Sequence, residues 1–214
     1  VKLDADILAY EIDYHLKHYL DQIKASNLKV IYKDFLSINI NELNIEKYKK
    51  IVIVGNLPYY ITTPIIKKII NFHFNIDKML LMIQKEVGER LLASPGTKQY
   101  GSLTVYVQYY YAISKICIVP KQSFIPQPKV DSIILKFNAS KVNKAKNEKL
   151  FFKLVKDSFQ YKRKTLKNNL SKYNLKEIEK SLKKFGKDLN YRAEEISLKE
   201  FIEISDKINN KNDF

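Results

Sequence analysis

A short segment at the end of an apolar run offers the chemistry to hold a flat ring that carries an exocyclic amine. Residues 51–60 read IVIVGNLPYY, so four apolar residues give way to a glycine and then to polar and aromatic ones. The Asn56 side chain carries an amide acceptor and two N–H donors, Pro58 lacks a backbone N–H and constrains the turn, and Tyr59 has a flat face. Acceptors beside an aromatic plane suit an amino-substituted base. An ordinary strand-end turn with a packed tyrosine fits the same letters, because short motifs recur by chance.

Acidic residues follow two predicted strands that precede this segment. The first strand covers residues 7–12 and brings Glu11 to its end, with Asp13 as the N-cap of a helix that reaches about residue 24. The second covers residues 28–32 and is followed by Asp34. In Rossmann-like units an acid after a strand binds a nucleotide ribose, and an acceptor-only carboxylate can also read an amine. Solvated acids at strand ends are the alternative interpretation.

Alternating strands and helices are predicted around these residues. The run at residues 51–54 indicates a strand buried on both faces, as in a parallel sheet, and the carboxyl edge of such a sheet is where ligands bind. A helix should start at Thr63-Pro64, with Thr63 as the N-cap. Residues 102–111 fit either a helix or a strand. Further strands are predicted at residues 78–84, 112–119 and 131–137.

The composition is strongly basic and favours a polyanionic partner. The chain of 214 residues has a formal net charge of +15 and 45% hydrophobic residues, enough for a folded core. Nucleic acid is the usual partner of such a surplus, although a lysine-rich, AT-biased genome produces the same balance. Cys117 is the only cysteine, and the sequence has no apolar run of transmembrane length. We therefore expect a cytoplasmic protein that does not enter a membrane.

Two later segments carry candidate contacts to a nucleic acid. Residues 124–130 (FIPQPKV) predict a proline-stiffened loop that presents an exposed Phe124 for stacking, or else folds it back onto the core. Residues 139–214 show no strand pattern and are predicted to form short amphipathic helices. Residues 141–214 contain 20 basic and 11 acidic side chains.

The densest basic cluster lies in residues 160–167, beside Phe159 and Tyr161. Its cations are candidates for phosphate contacts: Lys162, Arg163, Lys164 and Lys167. On a helix, Arg163 and Lys167 would share one face because they are spaced i and i+4. A solvated helix face is the alternative interpretation of such a run.

Several of these segments resemble one known family. Asn56-Leu57-Pro58-Tyr59 resembles the catalytic motif of N6-adenine methyltransferases, a motif of a type that the Erm enzymes of large-subunit RNA share. Four further segments resemble the small-subunit ribosomal RNA adenine N6,N6-dimethyltransferases (KsgA/RsmA): Gln84-Lys85-Glu86-Val87, the Phe124 loop, Arg163-Lys164-Thr165-Leu166 and Arg192-Ala193-Glu194. The resemblance also favours a helix over residues 102–111.

The resemblance implies a fold, an activity and roles for individual residues. The fold is a class I methyltransferase (Rossmann-like) α/β sheet in residues 1–138, with a small C-terminal all-α RNA-binding domain in residues 139–214. The activity is S-adenosylmethionine-dependent dimethylation of two adjacent adenosines in small-subunit rRNA, without a metal. Asn56, Leu57, Pro58 and Tyr59 are the implied catalytic residues. Tyr59 and Phe124 would stack on the base, and Glu11, Asp34, Phe35 and Asn56 would bind the cofactor.

One feature of the family's pattern is missing. The sequence contains no Gly-x-Gly, its first glycine is Gly55, and only ten residues precede Glu11. A nucleotide-binding unit has a glycine-rich turn after its first strand, about twenty residues before that acid. We therefore expect that the first strand and this turn are absent here and that the chain alone binds S-adenosylmethionine weakly or not at all. The alternative functions are a non-catalytic RNA-binding ribosome-assembly factor and an Erm-like large-subunit rRNA adenine methyltransferase. The expected partner is the immature small ribosomal subunit, and the expected state is a monomer.

Overall fold

The computed structural model describes residues 5–39, 42–43, 45, 47–72 and 76–209. Its strands are β1 (Ile7–Glu11), β2 (Leu28–Tyr32), β3 (Ile51–Asn56), β4 (Ile76–Gln84), β5 (Tyr111–Val119) and β6 (Ser132–Ala139). Its α-helices are α1 (Lys17–Leu20), α2 (Thr62–Asn71), α3 (Lys85–Leu92), α4 (Ser102–Tyr110), α5 (Glu148–Ser158), α6 (Leu166–Asn169), α7 (Leu175–Lys183) and α8 (Leu198–Asn209). The chain divides into two compact units. The first unit comprises Val1–Ile51 and Tyr60–Asn75, and the second comprises Val52–Tyr59 and Ile76–Phe214.

A parallel pair of strands organises the first unit. β1 pairs with β2 in a register that runs from Ile7 opposite Leu28 to Glu11 opposite Tyr32. The segment after β1 is a 3₁₀ turn, Tyr14–Leu16, followed by α1, and neither has a buried residue. The predicted helix to residue 24 is therefore too long, because a helix that buries no face is marginal beyond a turn or so.

The first unit takes its buried side chains mainly from α2. Ile65, Ile66, Ile69 and Ile70 are all buried, as helical spacing predicts. The helix begins at Thr62, and its N-cap is Ile61. The prediction of Thr63 as the N-cap is wrong, because a 3₁₀ turn at Tyr59–Ile61 leads directly into the helix.

A mixed sheet of order β3-β4-β6-β5 forms the framework of the second unit. β6 lies between two antiparallel neighbours, β4 and β5, and its Leu135 and Phe137 are fully buried. β3 is an edge strand in this order, and its Val52 and Val54 are 59% and 74% exposed. The prediction of a strand buried on both faces is therefore wrong for β3, which has one covered and one open face.

Close approach of α3 to β6 depends on a glycine. A Cβ atom at Gly88 would lie only 2.3 Å from Ile133 Cγ2, so no larger residue fits without movement of the helix or the strand. The first helix after β4 is thus held tightly against β6.

The C-terminal helices share their core with α4, which confirms the helix favoured for residues 102–111. Tyr109 of α4 stacks on Phe151 of α5, with ring centroids 4.7 Å apart. The Glu148 carboxylate accepts hydrogen bonds from the Tyr109 and Tyr110 hydroxyls, both at 3.0 Å. These contacts tie the helices after residue 139 to α4 by apolar packing and hydrogen bonds together.

Candidate active site

The Asn56–Tyr59 segment lies at the end of β3 and is fastened to two other strands. The backbone N–H of Leu57 donates to the Met82 carbonyl of β4 at 3.0 Å. The hydroxyls of Tyr59 and Ser132, the first residue of β6, are hydrogen-bonded at 2.7 Å. Asn56 and Pro58 are exposed, whereas Leu57 and Tyr59 are half-buried. The segment therefore presents the Asn56 amide to solvent, while hydrogen bonds hold the Leu57 backbone and the Tyr59 hydroxyl in place.

A glycine before the motif shapes this turn, although the sequence marks it only as the end of the apolar run. A Cβ atom at Gly55 would lie 2.9 Å from Leu57 Cδ2 and 3.3 Å from Leu81 Cδ2. The missing side chain leaves room for Leu57 to fold back over the strand. Gly55 thus helps to set the path of the chain through the motif.

The Phe124 loop is closed by an aspartate at its far end. The Asp131 carboxylate accepts from the Lys121 backbone N–H at 3.1 Å, at the start of a 3₁₀ turn that covers Lys121–Ser123. Phe124 is half-buried and Ile125 is fully exposed, so the prediction of an exposed Phe124 is wrong. The backbone at Phe124 is extended (φ −119°, ψ 146°), and successive side chains on an extended backbone point to opposite sides. The ring turns to the protein and its neighbour to solvent.

The acids predicted to bind a cofactor lie at one edge of the β1–β2 pair. Glu11 ends β1, and its Oε1 accepts from the Asp13 backbone N–H at 2.8 Å. Asp13 is the N-cap, as predicted, and accepts from the His15 backbone N–H at 2.9 Å. Asp34 caps the next 3₁₀ turn by accepting from the Leu36 backbone N–H at 2.8 Å.

The same edge carries an aromatic side chain and retains spare acceptor capacity. The Phe35 ring makes edge-to-face contacts with Tyr10 and Phe72, at centroid distances of 5.7 and 6.0 Å. A carboxylate has about four lone-pair sites, so one capping bond does not exhaust it. Glu11 and Asp34 can therefore still accept from ribose hydroxyls or an amine, which is the donor set that S-adenosylmethionine presents.

The basic cluster lies on a turn and not on one continuous helix. Lys162, Arg163 and Lys164 are exposed in the connection between α5 and α6, and Lys167 is exposed within α6. The prediction that Arg163 and Lys167 share a helix face is wrong. The reason is that Thr165 forms an isolated antiparallel bridge with another segment, so α6 starts only after it.

An asparagine holds the turn that carries these cations. Asn169 Nδ2 donates to the Ser158 carbonyl at 2.7 Å and to the Tyr161 carbonyl at 3.2 Å, and Asn169 Oδ1 accepts from the Tyr161 backbone N–H at 3.2 Å. Tyr161 is 59% exposed, while Phe159 is packed between Tyr100 and Phe201. Of the two aromatic residues beside the basic cluster, Tyr161 is exposed and Phe159 packs against the core.

The bridge brings a further cation to this turn. Thr165 pairs with Arg192, which is exposed, and the Lys162 ammonium donates to the Lys98 carbonyl at 3.3 Å. The basic surface therefore combines residues from three separate stretches of sequence. Linear spacing identifies only the densest of these.

Among residues 5–39, 42–43, 45, 47–72 and 76–209, no helix has the length and apolarity needed to cross a bilayer. Within the same residues, His, Cys, Asp and Glu side chains form no group of three or more that could hold a metal ion.

Comparison with known proteins gives consistent matches. The family model described as ribosomal RNA adenine dimethylase matches residues 3–210. A relative from Clostridium botulinum (strain Kyoto / Type A2), named ribosomal RNA small subunit methyltransferase A, is 42% identical over 210 residues, with 96% of this chain and 74% of the relative covered. One of the same name from Bacillus cytotoxicus is 39% identical over 213 residues, with 93% and 73% covered.

Two solved structures share the fold. A dimethyladenosine transferase from Plasmodium falciparum has a TM-score of 0.73 and 26% identity, covering 93% of this chain and 80% of that one. The 23S rRNA methyltransferase ErmE has a TM-score of 0.70 at 20% identity, covering 95% and 82%. The predicted class I methyltransferase-like fold and the predicted family resemblance are both confirmed.

Proposed function

The chain belongs to the ribosomal RNA adenine dimethylase family, and from that premise we propose that it dimethylates N6 of adenosines in small-subunit ribosomal RNA. S-adenosylmethionine supplies the electrophilic methyl group. The observation that carries the proposal is the Asn56–Tyr59 segment, fixed at the end of β3 by the Leu57–Met82 and Tyr59–Ser132 hydrogen bonds.

In this reaction the Asn56–Tyr59 segment must orient adenine N6, which is a weak nucleophile. The N6 lone pair of adenine is delocalised into the ring, so it must be turned out of the ring plane before it can attack. The exposed Asn56 amide oxygen accepts one N6 hydrogen, and a backbone carbonyl near Leu57 and Pro58 accepts the other. Their arrangement favours the transition state through positioning and local electrostatics, and no strong base is needed.

The base must also be held outside its stack. A methyltransferase reaches a stacked base only after extruding it, and aromatic side chains then hold the exposed ring. Tyr59 and Phe124 are the aromatics proposed for this role. Both are half-buried; Tyr59 is hydrogen-bonded to Ser132 at the start of β6, and the Phe124 loop to Asp131 just before it.

Three residues of the first unit are proposed to bind the cofactor. The Glu11 carboxylate accepts from the ribose hydroxyls, the Asp34 carboxylate accepts from the adenine amine, and the Phe35 ring packs on the adenine. Asn56 is proposed to contact the cofactor as well as the base. The common position of Glu11 and Asp34 after parallel strands supports this assignment.

The RNA is proposed to bind through the exposed cations of the 160–167 segment: Lys162, Arg163, Lys164 and Lys167. We propose that residues 1–138 act as the catalytic domain and residues 139–214 as the RNA-binding domain. The substrate is proposed to be a pair of adjacent adenosines near the 3′ end of the RNA within an immature small subunit, and the enzyme is proposed to act as a monomer.

The test uses the complete product of the gene, unmethylated small and large ribosomal subunits, and labelled S-adenosylmethionine. After digestion to nucleosides, mass spectrometry should find N6,N6-dimethyladenosine in small-subunit RNA. Label in large-subunit RNA would instead favour an Erm-like activity. Tight binding to small subunits without any methylated adenosine would favour a non-catalytic assembly factor and contradict the proposal.

A further inference from the structure

Two consecutive residues, Asp131 and Ser132, hold both segments that carry the proposed stacking aromatics. The Ser132 hydroxyl is hydrogen-bonded to the Tyr59 hydroxyl at 2.7 Å. The Asp131 carboxylate accepts from the Lys121 N–H at 3.1 Å, three residues before Phe124. We propose that Asp131 and Ser132 are positioning residues. From one end of β6 they fix the segments of Tyr59 and Phe124, which form the two sides of the proposed base-binding slot. This inference rests on the proposed function.

Ser132 is a rigid support for the Tyr59 ring. It is 1% exposed and lies in β6, where it is paired with Gln84 on one side and Val119 on the other. A hydroxyl buried without a partner costs about 1–3 kcal/mol, so the bond to Tyr59 compensates for the burial. A bond at the far end of the tyrosine side chain anchors the Oη atom and so fixes the direction in which the ring extends from the backbone.

Asp131 provides the same kind of support for the Phe124 loop. Its backbone carbonyl accepts from the Lys85 N–H at 3.0 Å, at the start of α3, which fixes the aspartate itself. Its carboxylate then reaches back to Lys121 and closes the loop across ten positions. The Phe124 N–H in turn donates to the Lys121 carbonyl at 3.3 Å, so the position of Lys121 determines where Phe124 starts.

The shared support has a consequence for the reaction. Binding of RNA depends mostly on phosphate contacts, which lie elsewhere in this proposal, whereas methyl transfer depends on the orientation of one base. A misplacement of about 1 Å can cost on the order of 100-fold in rate. Loss of either support should therefore slow methyl transfer and leave RNA affinity unchanged.

The test measures single-turnover methylation by the complete gene product and by Ser132→Ala, Tyr59→Phe and the double variant. Each single variant should be slower by about 5- to 20-fold, and the double variant about as slow as either, because both changes remove one bond. The KM for RNA should stay unchanged. Ser205→Ala is the matched control, since Ser205 is fully buried and its hydroxyl finds no hydrogen-bond partner in the described part of the chain.

The second support is tested by a pair of substitutions at one position. Asp131→Asn keeps an oxygen that can accept from the Lys121 N–H and should retain most of the rate, whereas Asp131→Ala should lose about tenfold. Thermal unfolding of every variant is measured in parallel. Should Ser132→Ala fold poorly, Tyr59→Phe removes the same bond from a half-buried side chain.

The outcomes separate this proposal from the proposed function. If the unaltered protein makes no dimethyladenosine, the proposed function fails. If it does so and Tyr59→Phe and Ser132→Ala react at the same rate as the unaltered protein, only the positioning proposal fails. Multiplicative losses in the double variant, or a loss confined to RNA affinity, would likewise overturn the positioning role.

Discussion

The two units hold their candidate ligand-binding residues by different means. In the first unit, Glu11 and Asp34 bond to backbone N–H groups two residues further along the chain. In the second unit, Tyr59 bonds to Ser132, which is 73 positions away in sequence. The carboxylates are therefore placed by local turns, and the segment proposed to hold the base is placed by the assembled sheet.

Burial beside the candidate residues differs in the same way, although α2 of the first unit is itself well buried. The 3₁₀ turn and α1 that follow the first acid have no buried residue, whereas the second unit fully buries Phe137, Phe151 and Phe201. Local turns need little buried surface, because their hydrogen bonds join residues that are close in sequence. A long-range anchor requires that the strands it joins do not shift. We therefore expect substitutions around the Tyr59–Ser132 bond to affect reaction rate, and those at the acids of the first unit to affect cofactor affinity.

The largest effect is expected from Asn56→Ala. Removal of one hydrogen-bonding group that acts in the transition state costs about 100- to 1,000-fold in turnover. RNA affinity and the unfolding temperature should change little, because the side chain is exposed. Single-turnover methylation and RNA binding are measured on the same preparations. Turnover close to that of the unaltered protein would remove Asn56 from the catalytic assignment.

Gly88→Ala should have the next largest effect, on stability. The new Cβ would lie 2.3 Å from Ile133 Cγ2, and overpacking of this kind costs about 1–3 kcal/mol in the free energy of unfolding. For a chain of this size that lowers Tm by about 2–4 °C per kcal/mol. Gly101→Ala is the control, because no atom of the described residues other than its chain neighbours lies within 4 Å of its Cβ position, and its φ of −163° is extended. Equal Tm values for the two variants would contradict the tight contact between α3 and β6.

The same division explains what the sequence could predict. The Asp13 cap and the acid after β2 follow from strand-then-acid patterns, because those bonds are local. The partnership of Tyr59 with Ser132 depends on strand order, which no local pattern specifies. The directions of the side chains in the Phe124 loop could not be predicted either. The proline spacing indicates a stiff segment, but it does not show whether Phe124 or Ile125 turns towards the protein.

A milder effect is expected from Glu11→Gln in the first unit. The amide oxygen can keep the bond to the Asp13 N–H, so the local turn should survive, but the charge and one acceptor are lost. Cofactor affinity should fall about tenfold, since a hydrogen bond to a charged group contributes about 1.5–3 kcal/mol. Calorimetry with S-adenosylmethionine measures this.

Asp13→Asn is the matched control for Glu11→Gln, because it leaves an oxygen to accept from the His15 N–H on an exposed residue. Its cofactor affinity should equal that of the unaltered protein. If Glu11→Gln is slow even at saturating cofactor, the first unit affects the reaction rate as well as cofactor affinity, which contradicts the division between the units. If the variant binds S-adenosylmethionine as tightly as the unaltered protein, Glu11 does not bind the ribose.

The smallest change is expected in the free energy of RNA binding when the basic cluster is altered. These side chains are exposed, so their charge and not their packing determines the effect. Arg163 and Lys167 are both exposed, one on the turn and one in α6, so each can contact a separate phosphate without sharing a helix face. Each phosphate contact contributes roughly 0.7–0.9 to the slope of log affinity against log salt. Replacing both with alanine should flatten that slope by about two at most and leave cofactor affinity unchanged.

The control for this pair removes the same charge from another helix. Lys176 and Lys180 are exposed on α7, and their double alanine variant lowers the net charge equally. If the cluster is a defined phosphate site, the Arg163 and Lys167 variant should flatten the salt slope more than the α7 variant does. Equal slopes in the two variants would mean that RNA responds to the net charge of the helical region as a whole, and the cluster would then be a solvated surface with no site of its own.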